Sequence, residues 1–169
     1  VTDHDLHRHP GRWFALLALA CLAFAPGRAH AALCGTVLTP ISASATAVNF
    51  GNYDPGGGSA VQASGTITVR CSLLIDVLPS FTVSLSRGQS TTYFPRTMLS
   101  GAHALSYNLY TSSALATVWG DGSGGTSTVT NSGVLQVGSL NLTVYGAIPT
   151  GQYVNPGSYA DSITVTVTY

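Results

Sequence analysis

Few side chains in this sequence can do chemistry. Beyond residue 31 there is one histidine, His103, with carboxylates at Asp54, Asp76, Asp121 and Asp161 and cations at Arg70, Arg87 and Arg96, and no lysine or glutamate at all. General acid–base catalysis needs titratable groups set together, and a lone histidine ahead of an alternating run reads as a solvated turn residue. The serines are many, but no nucleophile elbow of the G-x-S-x-G kind accompanies them. In "WGDGSGGT" Asp121 sits among glycines, which raises calcium. That ion takes six to eight oxygens and one carboxylate is thin, so a glycine turn with Asp121 bonded to the local backbone is the simpler reading. The same stretch has no lysine and no following helix for a phosphate loop. "FGNYDPGGGSA" reads as turn chemistry from Asn52, Asp54 and Pro55, with an exposed Tyr53 that could touch a sugar or a partner. The expectation is no catalysed reaction, no metal and no cofactor. With three arginines against four aspartates, the surface has no electrostatic footprint for nucleic acid or anionic lipid.

The N-terminal stretch is set apart from these residues. Arg8 and Arg12 precede an apolar run from Trp13 to Ala25, too short to span a bilayer, and Ala29-His30-Ala31 supplies a small-x-small cleavage pattern. Residues 1–31 are expected to be a secretory signal peptide and residues 32–169 a single domain. Cys21 would leave with the signal; as a lipoprotein site it lacks the expected large aliphatic residue three positions earlier. Cys34 and Cys71 then remain in an exported, oxidising setting, where they should form a structural disulfide. A metal or redox pair has neither C-x-x-C spacing nor a nearby histidine in its favour.

The elements that must position these residues all have strand character. "GTITVRC" places Ile67, Val69 and Cys71 on one face, "FTVSLS" does so with Phe81, Val83 and Leu85, and "ALSYNLYTS" turns Leu105, Tyr107 and Leu109 inward with Asn108 and Tyr110 outward. "VLQVGSLNLTVYG" alternates through Leu135 and Val137, slips at Gly138-Ser139 and resumes at Leu140, Leu142 and Val144, which predicts a bulge. "TVLTPIS" and "AVNFGNY" are shorter candidates, Pro40 confining the first to an edge or bulge. At the end "SITVTVTY" puts Ile163, Val165, Val167 and Tyr169 on one side and Ser162, Thr164, Thr166 and Thr168 on the other. Six or seven strands separated by Gly/Ser/Pro/Asn turns predict an all-β fold, an antiparallel β-sandwich. The terminal run needs a partner on its far edge or is a liability.

Several ordered stretches resemble the spore coat protein U domain, found in subunits of archaic chaperone-usher pili and in secreted biofilm and spore-coat proteins. They are "NFGNYDP" with Phe50, Gly51 and Tyr53; "YNLYTSSALATVWGDGSGGT" with Tyr107, Asn108, Leu109, Tyr110, Trp119, Gly120 and Asp121; "VYGAIPTGQ" with Tyr145, Gly146 and Gln152; and "PGSYADSITVTVTY" with Gly157, Tyr159, Asp161 and Tyr169. The resemblance implies an immunoglobulin-like sandwich lacking its last strand, completed by a donor strand. Ile163, Val165, Val167 and Tyr169 would border the open groove. It implies as partners a periplasmic chaperone, an outer-membrane usher and other pilus subunits, and as role adhesion and biofilm formation at the cell surface. One departure stands out. If cleavage falls before Ala32, only Ala32 and Leu33 precede Cys34, so no alternating donor segment is legible. A short tip or adaptor subunit, a donor segment inside the residues read as signal, and a coat-like protein that does not polymerise this way all fit. The rival from another class is an exported, self-sufficient β-sandwich binding module, for example one for carbohydrate.

Overall fold

The computed structural model describes residues 41–71, 80–132 and 139–169. The signal reading over 1–31, together with Cys34, Pro40 and the predicted slip at Gly138, lies outside the described residues, as does the side chain of Cys71.

Among the described residues there are eight strands: β1 (Ile41–Ala45), β2 (Val61–Cys71), β3 (Phe81–Leu85), β4 (Arg96–Ser100), β5 (His103–Tyr110), β6 (Val129–Asn131), β7 (Ser139–Ile148) and β8 (Val165–Thr168). They build two antiparallel sheets, ordered β1-β2-β7-β5-β4 and β6-β3-β8. The fold is all-β, and the non-sequential neighbours place hairpin-distant segments side by side, as a sandwich requires.

Period-two patterning forms the core. Ile67 and Val69 from β2 and Phe81, Val83 and Leu85 from β3 are buried, alternating with half-buried or exposed Thr66, Thr68, Thr82 and Ser84. Leu105, Tyr107 and Leu109 of β5 and Val144 and Ile148 of β7 meet them from the facing sheet. Trp119 fills the centre at 1% exposure and donates its indole N–H to the Val83 carbonyl (3.0 Å).

Four sequence expectations are corrected. Asn108 does not point outward; it is 6% exposed, because the loop before β4 folds over it and its amide donates to the Tyr93 carbonyl (2.7 Å). Alternation on β5 is lost there, with Tyr107, Asn108 and Leu109 buried in succession. "AVNFGNY" joins no sheet, and the reason matters for the site below. Tyr53 is half-buried, its hydroxyl tied to the Pro149 carbonyl (2.9 Å) and to the Gln152 amide (2.9 Å). Tyr169 lies past the end of β8 and is 59% exposed, so it does not continue the inward row. Two strands escape sequence reading, β4 and β6. The first pairs with β5 and carries Arg96 into the core; the second has only three residues.

Candidate functional site

Among the described residues β8 has one partner strand. β8 pairs with β3 from Leu85↔Val165 to Thr82↔Thr168, and among the described residues no strand pairs with its other edge. The pairing fixes which groups face that edge. Ser86 N donates to the Thr164 carbonyl (3.0 Å) and Thr164 N turns to the Ser86 hydroxyl (2.9 Å). Hydrogen-bonding direction alternates along an antiparallel strand, so the backbone groups of Thr164, Thr166 and Thr168 face β3. Those of Ile163, Val165 and Val167 face the open side, and the same three side chains are half-buried against the core.

The opposite wall of this opening is the stretch the sequence suggested as a strand. After β1, Thr46 N donates to the Thr66 carbonyl (2.9 Å) and the chain then leaves β2. Among the described residues the backbone from Ala47 to Phe50 pairs with no other strand. It crosses the inner face of the five-stranded sheet at two glycines. A Cβ on Gly65 would lie 2.8 Å from the Thr46 carbonyl oxygen, and one on Gly146 would lie 2.7 Å from the Phe50 ring and 2.8 Å from Val48. Only residues without a side chain let a backbone approach that closely. The crossing segment therefore lies in the layer of the smaller sheet, separated from β8 by a gap.

That gap is a cavity of about 1260 Å³. Its walls are the Thr46–Tyr53 segment and the chain from Val154 to Val165, and its floor is core: Ile67, Leu85, Met98, Leu105, Leu109 and Ile148. An apolar floor between two unpaired backbone edges can take one extended chain, hydrogen-bonded through its main chain and anchored by alternate side chains.

The ends of the groove are fastened by residues that the family resemblance picked out. Tyr107 donates its hydroxyl to Asp161 Oδ2 (2.7 Å) and meets Phe50 edge-on at 6.0 Å between ring centroids, so one side chain touches both walls. Asp161 Oδ1 also accepts from Gln89 N (2.9 Å). Gln152 acts as a strand mimic, its side-chain oxygen accepting from Ser106 N (2.8 Å) and its amide donating to the Ser106 carbonyl (2.9 Å). Tyr159 donates to the Asn155 carbonyl (2.7 Å), and Gly157 packs against Ser100. Leu99 and Ala160 exchange backbone bonds (2.9 and 3.1 Å), which holds the approach to β8 beside β4.

The remaining motif residues lie elsewhere. Tyr110 and Tyr145 form a half-buried cross-strand pair. Gly51, at φ 66, ends the crossing segment in a turn closed by Asn49 Oδ1. Gly120 and Asp121 lie in the turn after Trp119, where Asp121 Oδ1 accepts from Ser123 N (2.9 Å) and Ser123 Oγ (2.6 Å), the local bonding expected of that turn.

Arg96 was missed by sequence reading as anything but surface charge. It is fully buried, its Nε and Nη2 donating to the Ser86 carbonyl (3.1 and 2.9 Å), Nη2 also to the Trp119 carbonyl (2.7 Å) and Nη1 to Asn108 Oδ1 (2.9 Å). The guanidinium stands 4.9 Å from the centroid of the Tyr93 ring. Burial lowers its pKa, yet arginine stays protonated in proteins. One fork thus ties β4 of the large sheet to the end of β3 in the small one. The available signal was parity, since Arg96 shares the inward spacing of Met98.

Tyr107 yields a pH prediction. Burial first, then the bond to Asp161 and that carboxylate's charge, push its phenol well above the usual tyrosine range. The folded state keeps this proton more tightly than the unfolded chain, so the contribution is complete below about pH 10 and lost as pH rises above it. Tyr107→Phe is expected to cost about 1 kcal/mol at pH 7 and to flatten the loss of stability above about pH 10. Denaturant titrations across that range check this; superimposable wild-type and variant profiles would refute it.

With this geometry in view, comparison with known proteins is decisive. Residues 26–166 match the model of the Spore Coat Protein U domain. The chain belongs to the Spore Coat Protein U domain family. A relative, "Protein U" of Myxococcus xanthus, is 32% identical over 136 residues, covering 72% of this chain and 71% of the relative. Among solved structures, this Spore Coat Protein U domain is similar to a chain in the CsuC-CsuE chaperone-tip adhesion subunit pre-assembly complex from archaic chaperone-usher Csu pili of Acinetobacter baumannii. The TM-score is 0.55 with 25% identity over 79% of this chain, which spans only 40% of that one. The E. coli Hda pilus minor tip subunit, HdaB, aligns at a TM-score of 0.44 and 19% identity over 73% of this chain and 79% of its own. The likeness to the chain in the Csu complex makes the fold an immunoglobulin-like, pilus-subunit-like sandwich.

Proposed function

We propose that this domain is an exported, non-enzymatic pilus subunit whose groove accepts a β-strand from another polypeptide. A periplasmic chaperone fills the groove first. The N-terminal segment of a neighbouring subunit replaces it at an outer-membrane usher, giving surface fibres for adhesion and biofilm formation. The observation that carries this reading is the gap between β8 and the crossing segment, floored by core residues and edged by the free backbone groups of Ile163, Val165 and Val167. A strand of about five residues, roughly 17 Å long, matches the Ile163–Val167 edge. Head-to-tail contacts of this kind do not close on themselves and so grow fibres. The likeness to a chain in a chaperone–subunit complex supports the choice of first partner.

Co-expression with a periplasmic chaperone of the chaperone-usher class tests it. The expected result is a soluble one-to-one complex, with the chain aggregating or degraded when expressed alone. A cooperative, stable monomer that ignores the chaperone would instead establish a self-sufficient binding module.

We further propose that Cys34 and Cys71 form a disulfide in the exported chain, stabilising it by about 4 kcal/mol on the chain-entropy account. Mass measurement before and after reduction should show a gain of two hydrogens; two titratable thiols in the periplasmic protein would contradict it.

A further inference from the structure

We propose that the outer face of the β6-β3-β8 sheet holds a binding site for a neutral hexopyranose unit of a glycan, built from Arg87, Asp121 and the hydroxyls of Ser84, Ser86, Thr164 and Thr166. The face that turns away from the core carries only hydroxyl side chains on its two longer strands: Thr82, Ser84 and Ser86 from β3 onward, and Thr164, Thr166 and Thr168 along β8. Register sets them side by side, Ser84 opposite Thr166 and Thr82 opposite Thr168, and Thr82 reaches Thr130 of β6 at 3.1 Å.

Where β3 ends, this row runs into a cavity of about 270 Å³, lined by the four named hydroxyls, Arg87 and Asp121, with Tyr93 behind them. Arg87 stands 5.8 Å from the centroid of the Tyr93 ring and spends one Nη1 bond on the Thr91 carbonyl (2.8 Å). Asp121 is held in place through Oδ1 by Ser123. Those bonds keep its carboxyl below the ordinary aspartate range, so it is ionised at neutral pH. The two opposite charges thus face one cavity, both exposed, and among the described residues they form no ion pair.

A sugar hydroxyl answers this arrangement, because it accepts from a guanidinium and donates to a carboxylate at once, and both bonds are charge-assisted. The hydroxyls of Ser84, Thr164 and Thr166 donate or accept as the ring requires, and that of Ser86, which already accepts from Thr164 N and Gly88 N, can donate. The charges cancel, which removes the preference for an anionic or cationic ligand, and the volume suits one ring. The site lies on the sheet face, whereas the groove uses the edge of β8 and the opposite face, so occupancy of one leaves the other free.

Saturation-transfer NMR of the folded full chain, with or without a groove partner, tests the proposal using the methyl α-glycosides of glucose, mannose and galactose, with glucuronate as the anionic comparison. At least one neutral glycoside should bind at about 10 mM or below. Asp121→Asn, which retains the turn, and Thr166→Val, which retains the β-branched shape, should each weaken binding about fivefold or more, with thermal unfolding unchanged. No binding of any neutral glycoside, stronger binding of glucuronate, or wild-type affinity in both variants would overturn it.

Discussion

Arg96→Ala is expected to destabilise the domain by about 3–5 kcal/mol, a large part of the about 5–15 kcal/mol that holds an ordinary domain folded. The cost comes from what the substitution leaves behind. The Ser86 and Trp119 carbonyls take their hydrogen bonds from the one guanidinium, and Asn108 Oδ1 accepts from it and from the Leu109 N–H (3.0 Å). Removing it orphans the two carbonyls and leaves Asn108 Oδ1 with the Leu109 N–H alone, and each unsatisfied buried group costs about 1–3 kcal/mol. It also opens a cavity against Tyr93 and Trp119. Arg96→Lys tests the geometry separately, since a point ammonium cannot reproduce the fork and should lose about half as much. Chemical denaturation of the chaperone-free or chaperone-bound domain reads both. An Arg96→Ala variant within 1 kcal/mol of wild type would show that the fork does not hold the sheets together.

Gly146→Val should disable partner binding while leaving β8 intact. The added side chain begins 2.7 Å from the Phe50 ring and 2.8 Å from Val48, on the inner face of β7. The crossing segment must move into the gap or away from the sheet, and either displacement misplaces the far wall of the groove. Overpacking of this sort costs about 1–3 kcal/mol in stability. The larger consequence falls on strand acceptance, where a misplaced wall should reduce the yield of chaperone complex about tenfold or more. Gly58→Ala supplies the control, because a Cβ there meets nothing within 4 Å and its backbone is not in the left-handed region. It should lie within about 0.5 kcal/mol of wild type. Equal complex yields for Gly146→Val and Gly58→Ala would contradict the assignment of the wall.

How much of this was legible beforehand follows from which physical signals are local. Period-two alternation is a local signal, and β2, β3 and β8 declare themselves through it, as do the inward residues of β5. Asn108 and Tyr53 could not be placed that way. Each is covered by chain far away in sequence, the Tyr93 loop in one case and the Pro149–Gln152 turn in the other. β4 is short and begins on a buried charge, so it resembles a loop until its pairing with β5 is seen. The crossing segment was misread for a more instructive reason. "AVNFGNY" has the alternation of a strand because Val48 and Phe50 do face the core. It lacks only a neighbour to bond with. The residues of the groove were nameable individually, but the groove itself arises from Gly65 and Gly146, whose role no periodicity reveals.

Residue-resolved amide hydrogen exchange of the chain refolded in dilute solution, and of its complex with a periplasmic chaperone, tests the central claim most directly. The Thr164, Thr166 and Thr168 amides face β3 and should be slow in both states, with Thr168 fraying at the end. The Ile163, Val165 and Val167 amides should exchange rapidly in the free chain and become protected in the complex. Protection of those three in the free chain, or exchange unchanged by the chaperone, would contradict an open edge awaiting a strand.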